Sequence, residues 1–305
     1  MNNSFQKINI EKILFFDIEV VRNQESLDIN SKEFELFQKK TRDKATDELL
    51  PDDQVLTEYN RLAGLKMGYN RIVCISVGVV SKGKVYLKSF KGEEKEILDK
   101  LYELMFNYDY LCGYNIVGYD LPMCQFNYLR YGIPKIPEAF NVSGKKPWEL
   151  KSIIELMDVV RGTHFANPSL DEVCFHLGIP SPKEGGIDGS MVSDVYYKEG
   201  VDRIASYCNR DVFSVINLFQ RLQNNPLFES FIEREDEAPQ NIDVFTIINR
   251  FDQINDESKQ ILLKKAKGFK KKAEREALVE LVKASLARTE FSEEEQELFT
   301  KLLKP

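Results

Sequence analysis

Two acidic residues, Asp17 and Glu19, interrupt an apolar run, ILFFDIEVV, at residues 13–21. Such a run predicts a strand in the middle of a sheet, and residues two apart on a strand point to the same face. Burying two like charges side by side costs free energy unless a cation or hydrogen-bond donors compensate them. We therefore interpret the pair as half of a divalent-metal site, although acidic pairs are also common at the exposed tips of buried strands.

Four further residues have side chains that could complete such a site. Asn115 and Asp120 lie in a glycine-rich segment, GYNIVGYDLP, that leads from a predicted strand into a predicted helix. Tyr207 and Asp211 are four apart in another predicted helix and therefore share a face. Three of them also have a purely structural interpretation: Asn115 could hold a turn, Asp120 could cap its helix, and Tyr207 could pack against a sheet.

The composition is that of a globular protein without signals for export or membrane insertion. Hydrophobic residues make up 43% and charged residues 30% of the 305 residues. No run of about eighteen apolar residues occurs. The first residues lack the apolar core of a signal peptide, so we expect a cytoplasmic protein with no membrane partner. The five scattered cysteines are interpreted as reduced core thiols.

The formal net charge of −7 argues against a polyanionic partner, because nucleic-acid binders usually carry a basic field. Metal ions or a local basic patch would remove that objection. Six lysines crowd residues 264–272. We interpret them first as a solvated helix face, and alternatively as contacts for a phosphate backbone.

The hydrophobic pattern predicts an α/β domain. Strands are predicted at residues 13–21, 71–80, 84–90, 108–114 and 153–160, with a hairpin turn at 81–83. Helices are predicted at residues 34–40 and 55–62, inside an insertion at 22–70, and at 93–107, 120–132, 169–177 and 201–222. The expected sheet is mixed and five-stranded, with its first three strands antiparallel neighbours, strand 13–21 central, and helices flanking it. We assign residues 1–225 to this domain and 226–305 to a helical C-terminal extension.

Taken together, the motifs resemble those of the DEDD superfamily of 3′-5′ exonucleases, which have a ribonuclease H-like fold. FDIE, GYNIVGYDLP and YCNRD are most similar to the proofreading exonuclease domain of family B DNA polymerases and its stand-alone relatives. The resemblance covers about residues 12–222. Tyr119 departs from it, because the family usually has Phe there. Ser206 stands where another subtype has a general-base histidine, so the chain resembles the tyrosine (DEDDy) subtype.

The resemblance implies an exonuclease that uses two Mg²⁺ or Mn²⁺ ions as cofactors. Asp17 would bridge both ions, Glu19 and Asp211 would hold the ion that activates water, and Asp120 would act mainly through bound water. Tyr207 would orient the attacking water. Hard oxygen ligands of this kind suit both of these cations.

The implied substrate is single-stranded DNA, contacted by Ile18 and Asn115, and the implied products are nucleoside 5′-monophosphates. RNA stays open as a substrate, because reading a 2′-hydroxyl depends on the geometry of the pocket. A nucleic-acid or protein binding module that kept the fold and lost turnover is the alternative from a different class. The presence of all four carboxylates and the tyrosine favours the enzyme. Too few residues remain for a polymerase domain, so we expect any proofreading or repair role to be in trans.

Overall fold

The computed structural model describes residues 7–42, 46–105, 107–132, 142–146, 149–162, 166–183 and 186–234. The strands in these residues are β1 (Ile13–Arg22), β2 (Asn70–Ser81), β3 (Lys84–Lys91), β4 (Tyr110–Gly113), β5 (Ile153–Glu155) and β6 (Phe231–Glu233). The α-helices are α1 (Lys32–Gln38), α2 (Asp52–Leu62), α3 (Glu94–Met105), α4 (Asp120–Arg130), α5 (Leu156–Arg161), α6 (Leu170–Leu177), α7 (Val192–Glu199) and α8 (Asp202–Leu222).

Residues 1–101 and 109–238 form one compact unit, and residues 102–108 and 239–305 form a second. Most of the second unit lies outside the described residues. The same is true of the predicted helical extension beyond residue 234, including the lysines at 264–272. The helical extension and the two interpretations of the lysines at 264–272 therefore stay predictions.

The described strands form one mixed sheet in the order β5-β4-β1-β2-β3-β6. Strands β1, β2 and β3 are antiparallel neighbours, β4 and β5 run parallel to β1, and β6 runs parallel to β3. The predicted mixed sheet with β1 central is confirmed, but the predicted number of five strands is wrong. Strand β6 lies in the segment assigned to the extension, and three residues are too short to show a strand pattern in the sequence.

The hairpin between β2 and β3 has the predicted turn. Lys82 and Gly83 both have positive φ angles, 50° and 71°. Two left-handed residues give the connecting turn a twist that matches that of the flanking strands. The antiparallel register runs from Ser81 opposite Lys84 to Cys74 opposite Lys91.

Helix α8 packs across β1, β2 and β3 and covers the strand that carries the acidic pair. Gly78 on β2 permits the close approach, since a Cβ there would lie 2.7 Å from Val212 and 2.8 Å from Ile216. The Phe15 ring on β1 meets the Phe219 ring edge-on, with centroids 5.8 Å apart. Among the described helices, none combines the length and the apolar character needed to cross a bilayer.

The insertion folds around a small apolar core of its own, made by Leu27, Phe34, Phe37, Val55, Tyr59, Ala63 and Tyr69. Helices α1 and α2 confirm the two predicted helices. Helix α1 begins at Lys32 because the Ser31 Oγ accepts a hydrogen bond of 3.1 Å from the Phe34 N–H. A short 3-10 helix, Ala63–Leu65, follows α2 and contacts β1.

The predicted fifth strand is too long. Strand β5 ends at Glu155, and the remaining residues form α5, so Asp158 lies on a helix. The Glu155 carboxylate caps this helix by accepting a hydrogen bond of 3.1 Å from the Met157 N–H. β-branched residues in the sequence suggested a strand, but a capping side chain redirected the backbone into a helical turn.

Candidate active site

Strand β1 places Asp17 and Glu19 against helix α8. Glu19 is buried and Asp17 is half-buried. Ligand atoms of Asp17, Glu19 and Cys208 all lie within 4.8 Å of one another. The Cys208 thiol donates a hydrogen bond of 3.2 Å to the Asp17 Oδ2. The acidic pair therefore faces the helix that carries Tyr207 and Asp211.

Asp120, at the start of helix α4, contacts the same strand, β1. Strand β4 pairs with β1 only as far as Phe15. Beyond that point the Ile18 N–H donates a hydrogen bond of 3.1 Å to the Asp120 Oδ1. Tyr119 occupies the N-cap position of α4 and Asp120 is its first residue, so the capping interpretation of Asp120 is wrong. The carboxylate instead joins α4 to β1.

Tyr207 and Asp211 share one face of α8, as their spacing predicts. The Tyr207 hydroxyl lies beside the Asp211 carboxylate and lowers its pKa. Burial raises the pKa of Asp211 well above its usual range, and the negative charge of Asp17 adds to that rise. The positive charges of Arg210 and Lys183 lower the same pKa. These two positive charges therefore offset part of the rise in the Asp211 pKa.

All four predicted ligands have carboxyl groups that resist ionisation. Burial is the largest cause in each case, and it raises the pKa of Asp120 to about 8. Mutual repulsion adds to it, because Asp17 and Asp211 raise the pKa of Glu19 and Asp120 raises that of Asp17. Asp120 and Asp211 lie outside the 4.8 Å group but close enough to act on it. None of the four forms an ion pair with another described residue.

Asn115 lies in the turn before α4, where it adopts a positive φ of 64°. Gly118 leaves room for the Asn115 side chain, since a Cβ at residue 118 would lie 2.5 Å from the Asn115 Oδ1 and force it to move. The Asn115 carbonyl accepts a hydrogen bond of 3.0 Å from the Tyr119 N–H. Asn115 therefore holds the turn that positions Asp120. Its predicted contact with substrate, like that of Ile18, stays a prediction.

A sequence profile identifies the relatives of this chain. The profile describes a predicted 3′-5′ exonuclease related to the exonuclease domain of PolB, and it matches residues 64–260, about two thirds of the sequence. The chain belongs to this family. As a member of the PolB-related exonuclease family, it has a ribonuclease H-like sheet, in which β4 and β5 extend the antiparallel β1–β3 core. The profile includes Asp120, Tyr207 and Asp211 but begins after Asp17 and Glu19.

A solved structure is also similar to this exonuclease-family chain. It is the family B DNA polymerase from the hyperthermophilic archaeon Pyrobaculum calidifontis, with 18% identity over 69% of the chain and a TM-score of 0.45. The match spans only 24% of the polymerase. No match was found among curated proteins.

Two side chains in this exonuclease-family site were not singled out as site residues by the sequence analysis. Cys208 was assigned to the core, where it is fully buried, but it also contacts Asp17. Its position three residues before Asp211 on a helix was the available signal. Glu155 was placed inside a strand. Its Oε1 accepts a hydrogen bond of 2.6 Å from the Asn115 N–H, and its Oε2 accepts one of 2.9 Å from the Val117 N–H. No local pattern marks such a contact.

Replacing Glu155 by Gln should destabilise the protein by about 1–3 kcal/mol, because one carboxamide oxygen cannot serve the three N–H groups of Asn115, Val117 and Met157. Urea unfolding of both proteins measures the difference. The matched control is Asp158→Asn, a more exposed acidic residue on the following helix, for which we expect a change within about 0.5 kcal/mol. Equal effects of the two substitutions would contradict the assigned role of Glu155.

Proposed function

We propose that this protein is a metal-dependent 3′-5′ exonuclease that releases nucleoside 5′-monophosphates from the ends of single-stranded DNA. Membership of the PolB-related exonuclease family supports a nucleic acid as the substrate. The observation that carries the proposal is the convergence of four carboxyl groups from β1, α4 and α8, those of Asp17, Glu19, Asp120 and Asp211. The Tyr207 hydroxyl lies beside them.

The donor set fits divalent cations. The carboxylates repel one another in a buried site and lack ion-pair partners among the described residues, so binding of cations would relieve a cost that is already present. We assign Asp17, Glu19, Asp120 and Asp211 as the residues that hold Mg²⁺ or Mn²⁺. Two such ions, when bound, supply activation of the attacking water and stabilisation of the leaving oxygen.

Groups of the protein itself orient the carboxylates and, in this proposal, the attacking water. The Ile18 N–H fixes the Asp120 carboxylate, and the Cys208 thiol fixes that of Asp17. The Cys208 pKa is raised by burial, which keeps the thiol protonated as a donor. We assign Tyr207 the role of orienting the attacking water, since its hydroxyl lies beside Asp211 and its pKa is raised by burial. It acts as a donor and not as a base.

Tyr207→Phe should lower kcat by about 10²-fold, the size of effect expected for the loss of one positioned hydrogen-bond donor. The half-saturating Mn²⁺ concentration should change little, because the ligand set is intact. Steady-state degradation of a 5′-labelled oligonucleotide at several Mn²⁺ concentrations measures both quantities. Tyr86→Phe on β3, whose ring packs under Arg234, is the matched control and should keep full activity. Wild-type kcat in the Tyr207 variant would remove Tyr207 from the mechanism.

The assay that decides the function compares 5′-labelled single-stranded DNA, the matching duplex and single-stranded RNA, each with Mg²⁺, Mn²⁺ or EDTA. We expect a ladder that shortens from the 3′ end, fastest on single-stranded DNA and absent in EDTA. Faster degradation of RNA would make the protein an exoribonuclease. Binding of the oligonucleotides without any shortening would make it a binding module that kept the fold.

A further inference from the structure

The segment at residues 64–68, called the lip below, consists of the end of the short 3-10 helix that contacts β1 and the turn that follows it. The Tyr119 hydroxyl donates a hydrogen bond of 3.3 Å to the Gly64 carbonyl. Tyr119 directly precedes Asp120, and the 3-10 helix that contains Gly64 contacts β1, the strand of Asp17 and Glu19. The carbonyl that this hydroxyl contacts is therefore next to the site. The hydroxyl is the feature that distinguishes Tyr119 from the Phe expected at this position.

Other elements hold the lip in place. The Asn70 Nδ2 on β2 donates a hydrogen bond of 2.8 Å to the same Gly64 carbonyl. A Cβ at Gly64 would lie 3.1 Å from the Ser193 Oγ on α7. The Lys66 ammonium lies 4.5 Å from the centroid of the Phe37 ring, in the core of the insertion. These contacts fix the backbone of the lip relative to β2, α7 and the core of the insertion.

Two of those side chains are large, apolar and exposed. Leu65 has 59% and Met67 has 45% of its surface accessible. A single exposed apolar residue is ordinary on a protein surface. Here two of them protrude from one immobilised turn beside a site rich in negative charge, and the cation between them is engaged with Phe37. The lip therefore offers apolar surface at Leu65 and Met67, while the ammonium of Lys66 lies over the Phe37 ring.

We propose that the lip contacts the unpaired nucleobases of the strand whose 3′ end occupies the site. This inference rests on the exonuclease function proposed above. Every nucleobase has an apolar face, and the polarisable sulfur of Met67 adapts to flat partners. In a duplex those faces are stacked and paired, so the lip favours single strands. The insertion, which the motifs leave unexplained, then supplies part of the substrate preference.

The test measures kcat/KM on two 5′-labelled single strands of the same length, one with all its bases and one with abasic residues at the second and third positions from the 3′ end. The double variant Leu65→Ser, Met67→Ser should lose about tenfold or more on the strand with bases, the range expected for losing one stacking contact. Its value on the abasic strand should equal that of the wild type. Because both side chains are exposed, folding should be kept, which the thermal melting temperature checks.

Two further variants make the result specific. Ile29→Ser, Leu36→Ser replaces two apolar residues of the same insertion with similar exposure, 48% and 45%, and should behave as the wild type. Leu65→Met, Met67→Leu keeps apolar side chains on the lip and should restore activity on the strand with bases. If the wild type degrades no oligonucleotide, the proposed function fails and the lip with it. If it degrades both strands and the serine variant of the lip loses equally on both, or on neither, only the lip inference is overturned.

Discussion

Asp17→Asn should lower the rate of DNA degradation by at least about 10³-fold and should leave the fold intact. Asp17 lies at the centre of the site, in contact with Cys208 and within electrostatic range of Asp120 and Asp211. In the proposed mechanism, loss of this carboxylate removes several kcal/mol of transition-state stabilisation, and each 1.36 kcal/mol is about a tenfold change in rate. Single-turnover degradation of a 5′-labelled single strand measures the loss.

The same substitution should stabilise the protein in EDTA. It removes one of the mutually repelling charges without changing the shape of the side chain, so the free energy of unfolding should rise. Asp53→Asn, at an exposed position in the first turn of α2, is the matched control and should leave both activity and stability nearly unchanged. A fully active Asp17→Asn enzyme would show that the chemistry does not depend on this cluster.

Without metal ions, the melting temperature should fall as the pH rises from about 4 to about 8. The pKa values of Asp17, Glu19, Asp120 and Asp211 are raised by burial, to about 8 for Asp120. The folded protein therefore holds more protons than the unfolded chain, whose carboxyl pKa values are about 4. The resulting stability is complete below pH 4 and is lost as the pH rises through the folded-state values. We expect a loss of at least about 1 kcal/mol, or about 2–4 °C.

Mg²⁺ or Mn²⁺ should reverse this loss, and should raise the melting temperature more at pH 8 than at pH 5. Cations bind ionised carboxylates, so protons compete with them at the lower pH. Asp120→Asn should flatten the pH dependence measured in EDTA. Glu35, whose pKa is lowered to about 2 by hydrogen bonds from Lys32 and Lys39, has the opposite effect, but only below about pH 4.5. A melting temperature that rises from pH 4 to 8 in EDTA would contradict the assigned cluster.

The sequence determined the parts of this protein whose cause is local. The run at 13–21 is too apolar for any place except the centre of a sheet, and it is central. The four-residue spacing of Tyr207 and Asp211 puts them on one helix face whatever the helix packs against. The helix predicted at residues 169–177 is α6, and Ser169 and Glu172, three residues apart, form a capping box at its start. Short-range hydrogen bonds and hydrophobic periodicity decide such features, and both can be read from neighbouring residues.

The tertiary structure alone decided the contacts that hold the site together. The Ile18 N–H can donate to the Asp120 carboxylate because β4 stops pairing with β1 at Phe15. No sequence pattern gives the length of that pairing. The Glu155 carboxylate accepts a hydrogen bond from the turn at Asn115, forty residues away in the sequence. The Tyr119 hydroxyl donates one to the Gly64 carbonyl, fifty-five residues away. Strand β6 joins the sheet only because β3 offers a free edge. These contacts depend on which groups remain unpaired after the sheet has formed, and that is a property of the whole fold.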